Sequence, residues 1–516
     1  MNAADRVLAP ERAAERGPRE ALRCGGAGLG YAALLAEVNR AGNLLRAAGV
    51  RPEQRVLLLL EDSPELVCAY LGAIKIGAVA VALNVRLGPA EIAWILGDSR
   101  PALVIAGEKQ RALFAAAARG MDRVPPLIVA GPGAPQAEDQ APRWAALAAA
   151  QPASLAAADM SRDDMAFWIY TSGTTGTPKA AVHLHHDVEG AVDYAGGVLG
   201  IGPEDRLFAT SKLYFAYALG NCLFASFMLG ATTILLPAAP ESAAVAEVLE
   251  RERPTVLFSV PTLYRNLLRD GVVTPGRFAS VRRAVSAGER LPAVLFERFR
   301  EASGGLALLD GMGTSETIYM ILGNAPGAER PGSAGTVVPG VQAELRDESG
   351  RAIDTPGRPG ILWAKMSSIA DRYWNQQERS RAVFAEGWFR TGDVFAVDAE
   401  GYWHHEGRGD DMLKISGQWV SPAEIEEEVL AVEGVADAAV VGREDGDGLT
   451  RLALFVVPAD GAGAAGSGEG IAEAIRSRLT GLLAVYKCPR RVHLVSEIPR
   501  TATGKVQRYK LREAAR

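Results

Sequence analysis

The densest chemistry in the chain is the string YTSGTTGTPK at positions 170–179, which directly follows the apolar AFWI. Thr171, Ser172, Thr174 and Thr175 supply hydroxyls, Gly173 and Gly176 let the backbone turn, and Lys179 supplies a cation. Backbone N–H groups and hydroxyls closing around an anion, with a lysine to neutralise it, form a polyphosphate cradle. A Walker-type P-loop needs Lys directly after its second Gly and then Ser or Thr. Here Gly176 is followed by Thr177, Pro178, Lys179 and Ala180, so that class of ATPase is disfavoured. Three histidines, His183, His185 and His186, come just after the cradle. They lack the carboxylate-supported spacing of a metal cluster and read as loop and helix-start residues.

Such a cradle has to be carried by regular elements, and the flanking sequence supplies them. Apolar spacing is helical over 31–50, and RVLLLL at 55–60 then reads as a buried strand, because short uninterrupted apolar runs suit parallel sheets. A helix over 64–76 leads into AVAVAL at 78–83, another over 89–96 leads into ALVIA at 102–106, and LIVA follows at 127–130. Later, ATTILL at 231–236 precedes a helical 242–253, and TVLFSV at 255–260 precedes a helix over 261–269. The expected class is α/β, with more than one sheet flanked by helices in a large N-terminal portion. After about 335 the strands shorten, as in VQAELRD and ILWAK between Gly and Pro turns, which points to a β-rich subdomain. Beyond 408 a small α+β unit begins, with a helical SPAEIEEEVLAV and the strands DAAVVG and RLALFVV. The expected division is therefore 1–408 and 409–516, with 459–470 as a surface loop inside the second unit.

Composition narrows the function. At 516 residues, 48% hydrophobic and 22% charged, the chain is long enough for a large core and has a globular balance. A net charge of −6 gives no general attraction to nucleic acid or anionic membrane, so any anionic ligand must be held locally. Cys24, Cys68, Cys222 and Cys488 lie far apart with no CxxC pair, which argues against a disulfide framework and fits a reducing cytoplasm. The first twenty residues mix acids and bases without an apolar segment, unlike a signal peptide, and the greasy stretch at 66–83 is interrupted by Lys75. A soluble protein is expected.

Five further strings follow the cradle: SAGE (286–289), MGTSE (312–316), TGD (391–393), GRGDD (407–411) and PRTATGK (499–505). With the cradle, and in this order, they resemble the signature strings of the adenylate-forming superfamily of acyl-CoA synthetases, peptide-synthetase adenylation domains and luciferases. The resemblance implies that a carboxylate attacks the α-phosphorus of ATP and pyrophosphate leaves, with the released charge stabilised by the protein. It assigns Glu316 to Mg²⁺ and Ser315 to the α-phosphate. Asp393 is matched to the ribose hydroxyls, and Arg408 to ribose or phosphate oxygen. Gly288, Glu289, Asp310 and Gly311 are implied to line the adenine, with Gly313 and Thr314 beside the nucleotide. Met312 stands where the family often carries a stacking aromatic residue. Lys505 matches the lysine brought to the carboxylate and α-phosphate, and Asp410 matches the hinge about which the C-terminal domain turns for a second half-reaction. Lys414, Gly417 and Trp419 of KISGQWVSP would border a pantetheine tunnel.

Within the superfamily the strings KLYFAYALGN (212–221) and DGMGTSETIYMILGN (310–324) most resemble benzoate-CoA ligases. A pocket of Phe215, Ala216, Tyr217, Gly288, Tyr319, Met320 and Ile321 would be short, flat and apolar, suiting an aryl acid. Benzoate ligases commonly carry His-Ile where this chain has Tyr319 and Met320, and the Tyr319 phenol would meet an amino or hydroxyl substituent. The expected cofactors and partners are ATP, Mg²⁺, a small aromatic acid and coenzyme A, or alternatively the phosphopantetheine of an acyl carrier protein; a homodimer is compatible with the sequence. A non-catalytic nucleotide- or acyl-binding protein is the competing class, and the retained Lys179, Glu316, Asp393, Arg408 and Lys505 oppose it.

Overall fold

The computed structural model describes residues 1–131, 142–171, 178–409, 413–415, 418–444, 450–459, 468–489, 491–500 and 506–514. The uninterrupted apolar runs become central strands. One sheet has the order Arg372–Tyr373, Lys179–Leu184, Met165–Thr171, Val79–Ala82, Arg55–Leu59, Leu103–Gly107, Leu127–Ala130. Its last five strands run parallel, and Lys179–Leu184 returns antiparallel beside Met165–Thr171 on leaving the cradle. A second sheet has the order Thr336–Val337, Met320–Gly323, Leu308–Gly313, Arg283–Ser286, Val256–Ser259, Arg206–Ala209, Thr232–Leu235, Glu20–Cys24, Ala27–Gly30. The α/β class expected from the apolar runs is the observed one.

The greasy stretch at 66–83 resolves into the helix Pro64–Lys75 and the strand Val79–Ala82. The helix is apolar all round because it is buried all round. It shares one cluster with Leu58 and Phe167 of the first sheet and Leu207 and Phe258 of the second. Lys75 at its end is buried with Asp5 at 2.9 Å, which balances its charge. Among the described residues no helix is long and apolar enough to cross a membrane. The helix Tyr31–Ala47 packs on it closely enough that a Cβ on Gly72 would meet the Gly42 nitrogen at 2.8 Å. It stops short of the expected end at 50 because Gly49 takes φ of 86°.

Past residue 335 the chain is β-rich as expected, with Gln377–Val383 the single helix among the described residues up to Arg408. Gln342–Arg346, Gly360–Lys365 and Trp388–Val397 are antiparallel neighbours, and Trp403–Arg408 pairs the far part of Trp388–Val397. The last part of the chain has its own core, including Leu413, Val420, Ile425, Val440, Leu454 and Ile475. Its three-stranded sheet is made of Val435–Glu444, Thr450–Pro458 and Arg491–Leu494. The loop expected over 459–470 needs correction at its end: residues 460–467 lie outside the described residues, and the helix Gly468–Leu482 starts inside the expected loop. Its Ile471, Ile475 and Leu479 supply the apolar stripe that holds it to this core. Arg290 bonds Glu427 at 2.6 Å and the Ala423 carbonyl at 3.1 Å, and Arg265 meets Asp437 at 3.3 Å, joining this part to the rest of the chain.

Candidate functional site

The parallel strands of the second sheet end at a cavity of about 2520 Å³. Thr210, Val260 and Ala287 line it, each just beyond the C-terminal end of its strand, where open α/β sheets bind ligands, and so does Asp310, where the parallel pairing of Leu308–Gly313 with Arg283–Ser286 ends. Residues 314–319 connect the antiparallel strands Leu308–Gly313 and Met320–Gly323. Ile318 takes φ of 57°, a conformation that β-branched residues rarely adopt, and its N–H closes the turn on the Thr314 carbonyl at 2.9 Å. Ser315 and Glu316 ride on this turn and line the cavity.

Glu316 is buried, and its Oε1 accepts from Lys179 Nζ at 2.9 Å and from the Tyr373 hydroxyl at 2.7 Å. Lys179 also donates to that hydroxyl at 2.7 Å and lies 4.0 Å from the centre of the Tyr373 ring. Burial would push the Glu316 carboxyl up, but the Lys179 charge and the two hydrogen bonds pull it down to about 2. Burial lowers Lys179 from its usual value, against the opposing pull of Glu316. Neither of these side-chain hydrogen bonds uses Oε2. An ionised carboxylate with a spare oxygen on a cavity suits a hard divalent cation. No group of three or more His, Cys, Asp or Glu among the described residues could hold a metal ion, so such a cation would complete its shell with phosphate and water oxygens.

Across the cavity, Asp393 and Arg408 are register partners on neighbouring strands, with Arg408 Nη1 on Asp393 Oδ2 at 2.9 Å. His405 Nε2 lies 3.2 Å from Asp393 Oδ1. Thr391 holds this bend by donating to the Leu362 carbonyl at 2.9 Å and accepting from the Asp393 N–H at 3.0 Å, while Gly392 takes φ of 78°. Gly288, Glu289, Asp310, Gly311, Met312, Gly313 and Thr314 all line the same cavity. Glu289 is committed to Thr262, accepting from its N–H at 3.3 Å and its hydroxyl at 2.7 Å, and burial raises its carboxyl. Burial pushes Asp310 up to about 8, so near neutrality it can donate a hydrogen bond as well as accept one.

Phe215, Ala216, Tyr217, Gly288, Tyr319 and Met320 also line the cavity, forming its apolar side. Tyr217 is fixed by its hydroxyl on the Val285 carbonyl at 3.1 Å and by an edge-on contact with Phe258. Tyr319 lies against two glycines: a Cβ on Gly220 would meet its ring at 3.0 Å, and one on Gly190 at 3.2 Å. Two expectations are corrected here. Ile321 does not line the cavity; it is fully buried in another cluster with Ala334, Leu345 and Leu362, because side chains alternate faces along the strand Met320–Gly323. The Tyr319 hydroxyl is enclosed in protein without a partner among the described residues, so the ring, not the phenol oxygen, faces the cavity.

Residues 10–374 match the family model described as AMP-binding enzyme, and residues 424–505 match the AMP-binding enzyme C-terminal domain. The chain belongs to the AMP-binding enzyme family. It is 43% identical to the 3-hydroxybenzoate–CoA/4-hydroxybenzoate–CoA ligase of Thauera aromatica, over 99% of this chain and 97% of that one. It is 44% identical to the 3-hydroxybenzoate–CoA ligase of Aromatoleum sp. (strain CIB), again over 99% and 97%. Its fold is similar to the crystal structure of a benzoate CoA ligase from Burkholderia xenovorans LB400, with a TM-score of 0.91 and 36% identity, covering 99% of this chain and 100% of that one.

In this AMP-binding enzyme several expected site residues lie outside the described residues: Ser172, Gly173, Thr174, Thr175, Gly176, Asp410, Gly417 and Lys505. Their described neighbours are informative. Thr171, Pro178 and Lys179 line the cavity on either side of the cradle. Arg500 and Val506 bridge one another and both line the cavity, at the two ends of the segment that includes Lys505. Lys414 and Trp419 are register partners in the hairpin Leu413–Ile415/Gln418–Val420. Sequence reasoning missed Tyr373 and His405, which carry no motif: Tyr373 enters through a contact across sheets, and His405 from the neighbouring strand of the sheet that holds Asp393. It also misplaced His183, which is not a loop residue but a buried member of the strand Lys179–Leu184. The position of His183 four residues after Lys179 in an apolar strand was the one available signal.

Proposed function

We propose that this protein is an AMP-forming aryl-CoA ligase: it joins an aromatic carboxylic acid to AMP at the expense of ATP, then passes the aroyl group to the thiol of coenzyme A. The observation that carries this reading is a single cavity in which the apolar side of Phe215, Ala216, Tyr217, Tyr319 and Met320 opens onto the Lys179–Glu316–Tyr373 cluster and the Asp393–Arg408 pair. The relatives named for hydroxybenzoates support an aryl acid over an alkyl one.

In the first half-reaction a carboxylate oxygen of the acid forms a bond to the α-phosphorus, the bond to the β-phosphate oxygen breaks, and pyrophosphate leaves. Lys179 and the cradle around residues 171–176 neutralise the departing phosphates. Glu316, through its spare oxygen, would hold Mg²⁺, which supplies charge neutralisation between the phosphates. Asp393 takes the ribose hydroxyls, Arg408 steadies it, and Lys505 pairs with the carboxylate and α-phosphate. Ser315 bonds the α-phosphate oxygen. In the second half-reaction the CoA sulfur attacks the aroyl carbonyl carbon, its thiol proton is lost, and AMP leaves with the electrons of the broken C–O bond. For this step residues 409–516 act as a lid that turns about Asp410 on the body formed by 1–408, and the Lys414–Trp419 hairpin borders the thiol path.

The test is pyrophosphate release with benzoate, 3-hydroxybenzoate, 4-hydroxybenzoate and a series of alkanoates, with and without CoA. Release with aryl acids, and thioester formation only when CoA is added, is the expected result. No release with any aryl acid, or a clear preference for alkanoates, would overturn the proposal. Thioester formation restricted to a holo carrier protein would transfer the second step to that acceptor.

A further inference from the structure

We propose that His183, held by Asp187, is a positioning residue for the adenylation step, acting through the backbone of Ser315. This rests on the reading of Ser315 and Glu316 given above. His183 and Asp187 are both fully buried, so neither touches substrate. His183 Nε2 lies 2.8 Å from the Ser315 carbonyl oxygen, and Nδ1 lies 2.8 Å from Asp187 Oδ2. A carbonyl oxygen only accepts, so Nε2 must carry a hydrogen. On the other side the Asp187 carboxyl group meets Nδ1 and so fixes how the ring is turned.

Every freedom of this ring is removed. Phe167 stacks on it with centroids 4.8 Å apart and an interplanar angle of 10°. Asp187 is itself anchored, since its Oδ2 also accepts from the Leu184 N–H at 3.1 Å. The strand Lys179–Leu184 therefore grips the catalytic turn twice. Lys179 holds the Glu316 carboxylate from the cavity side, and His183 holds the Ser315 carbonyl from the core side. The second grip is needed because the turn contains Ile318 at φ of 57°, a conformation that relaxes unless its surroundings over-determine it. A side chain that fixes a turn from behind sets where Ser315 and Glu316 sit relative to the nucleotide, and displacements of about 1 Å at such groups cost roughly 10²-fold in rate.

Only adenylation needs Glu316 to face the cation between the phosphates, because pyrophosphate has left before the thiol attacks, which gives the role a signature that a general loss of packing lacks. The experiment measures each half-reaction in full-length His183→Ala and Asp187→Asn proteins: pyrophosphate release from acid and ATP, and thioester formation from supplied aroyl-AMP and CoA. Adenylation kcat should fall about 10- to 100-fold in His183→Ala, with KM for the acid within about 2-fold and thioester formation within about 3-fold of the unaltered protein. Asp187→Asn keeps the side-chain volume and should lose adenylation selectively but less severely, which serves the test if the alanine variant does not fold. Equal losses in both half-reactions, or none in either variant, overturn the positioning role while the unaltered protein remains active. An unaltered protein silent on all aryl acids would instead sink the reaction itself, and this role with it.

Discussion

Replacing Glu316 by Gln tests the electrostatic core of the site. The Glu316 carboxyl, ordinarily near 4.5, is held at about 2 in the folded protein by Lys179 and Tyr373. At about 1.36 kcal/mol per decade of proton affinity, that difference is worth about 3 kcal/mol in favour of the ionised side chain. Because the folded value lies below the unfolded one, this stabilisation is fully present above about pH 4.5 and is lost as the pH falls toward about 2. Glu316→Gln removes it and leaves the Lys179 ammonium buried without a counter-charge, a change that typically costs about 3 to 5 kcal/mol at neutral pH. Denaturant titration of the two proteins should show that the penalty shrinks by about 1 kcal/mol between about pH 5.5 and 3.5, as the unfolded chain gains the proton that the folded one refuses. A double-mutant cycle with Lys179→Met should return a coupling of about 2 to 3 kcal/mol at neutral pH. A penalty that stays constant across this pH range, or a coupling below about 0.5 kcal/mol, would refute the ionised pair as the feature that sets the site.

Lys505→Ala should lower aryl-acid-dependent pyrophosphate exchange by about 10²-fold or more, and unchanged exchange would remove Lys505 from the reaction. Asp410→Pro should stiffen the backbone at the hinge and impair thioester formation while sparing adenylation; equal loss of both steps counts against a turning lid. Gly220→Ala places a methyl 3.0 Å from the Tyr319 ring and the Ile318 carbonyl. The neighbours must yield, so kcat/KM for aryl acids should drop by roughly 10-fold with KM for ATP unchanged, and an unaltered kcat/KM would show that Tyr319 does not shape the acid pocket.

Sequence alone determined the features that are local. The runs at 55–60, 78–83 and 102–106 read as buried parallel strands, being short, uninterrupted and alternating with helical stretches. The order of the cradle, SAGE, MGTSE, TGD and GRGDD strings carried the family, and the cavity gathers described residues from each of them: Lys179, Gly288, Glu316, Asp393 and Arg408. Tertiary structure decided what depends on direction and on distant partners. Ile321 was expected in the acid pocket and lies in another core, because one step along a strand reverses the face and the string does not say which face meets the ligand. The Tyr319 hydroxyl turned into protein for a similar reason, its ring being steered by the missing side chains of Gly190 and Gly220. Tyr373 and His183 reach Glu316 and Ser315 from positions 57 and 132 residues away in the chain. Contacts of that kind have no period and no spacing to read; they exist only once two sheets have been folded side by side and their strand ends brought to one cavity.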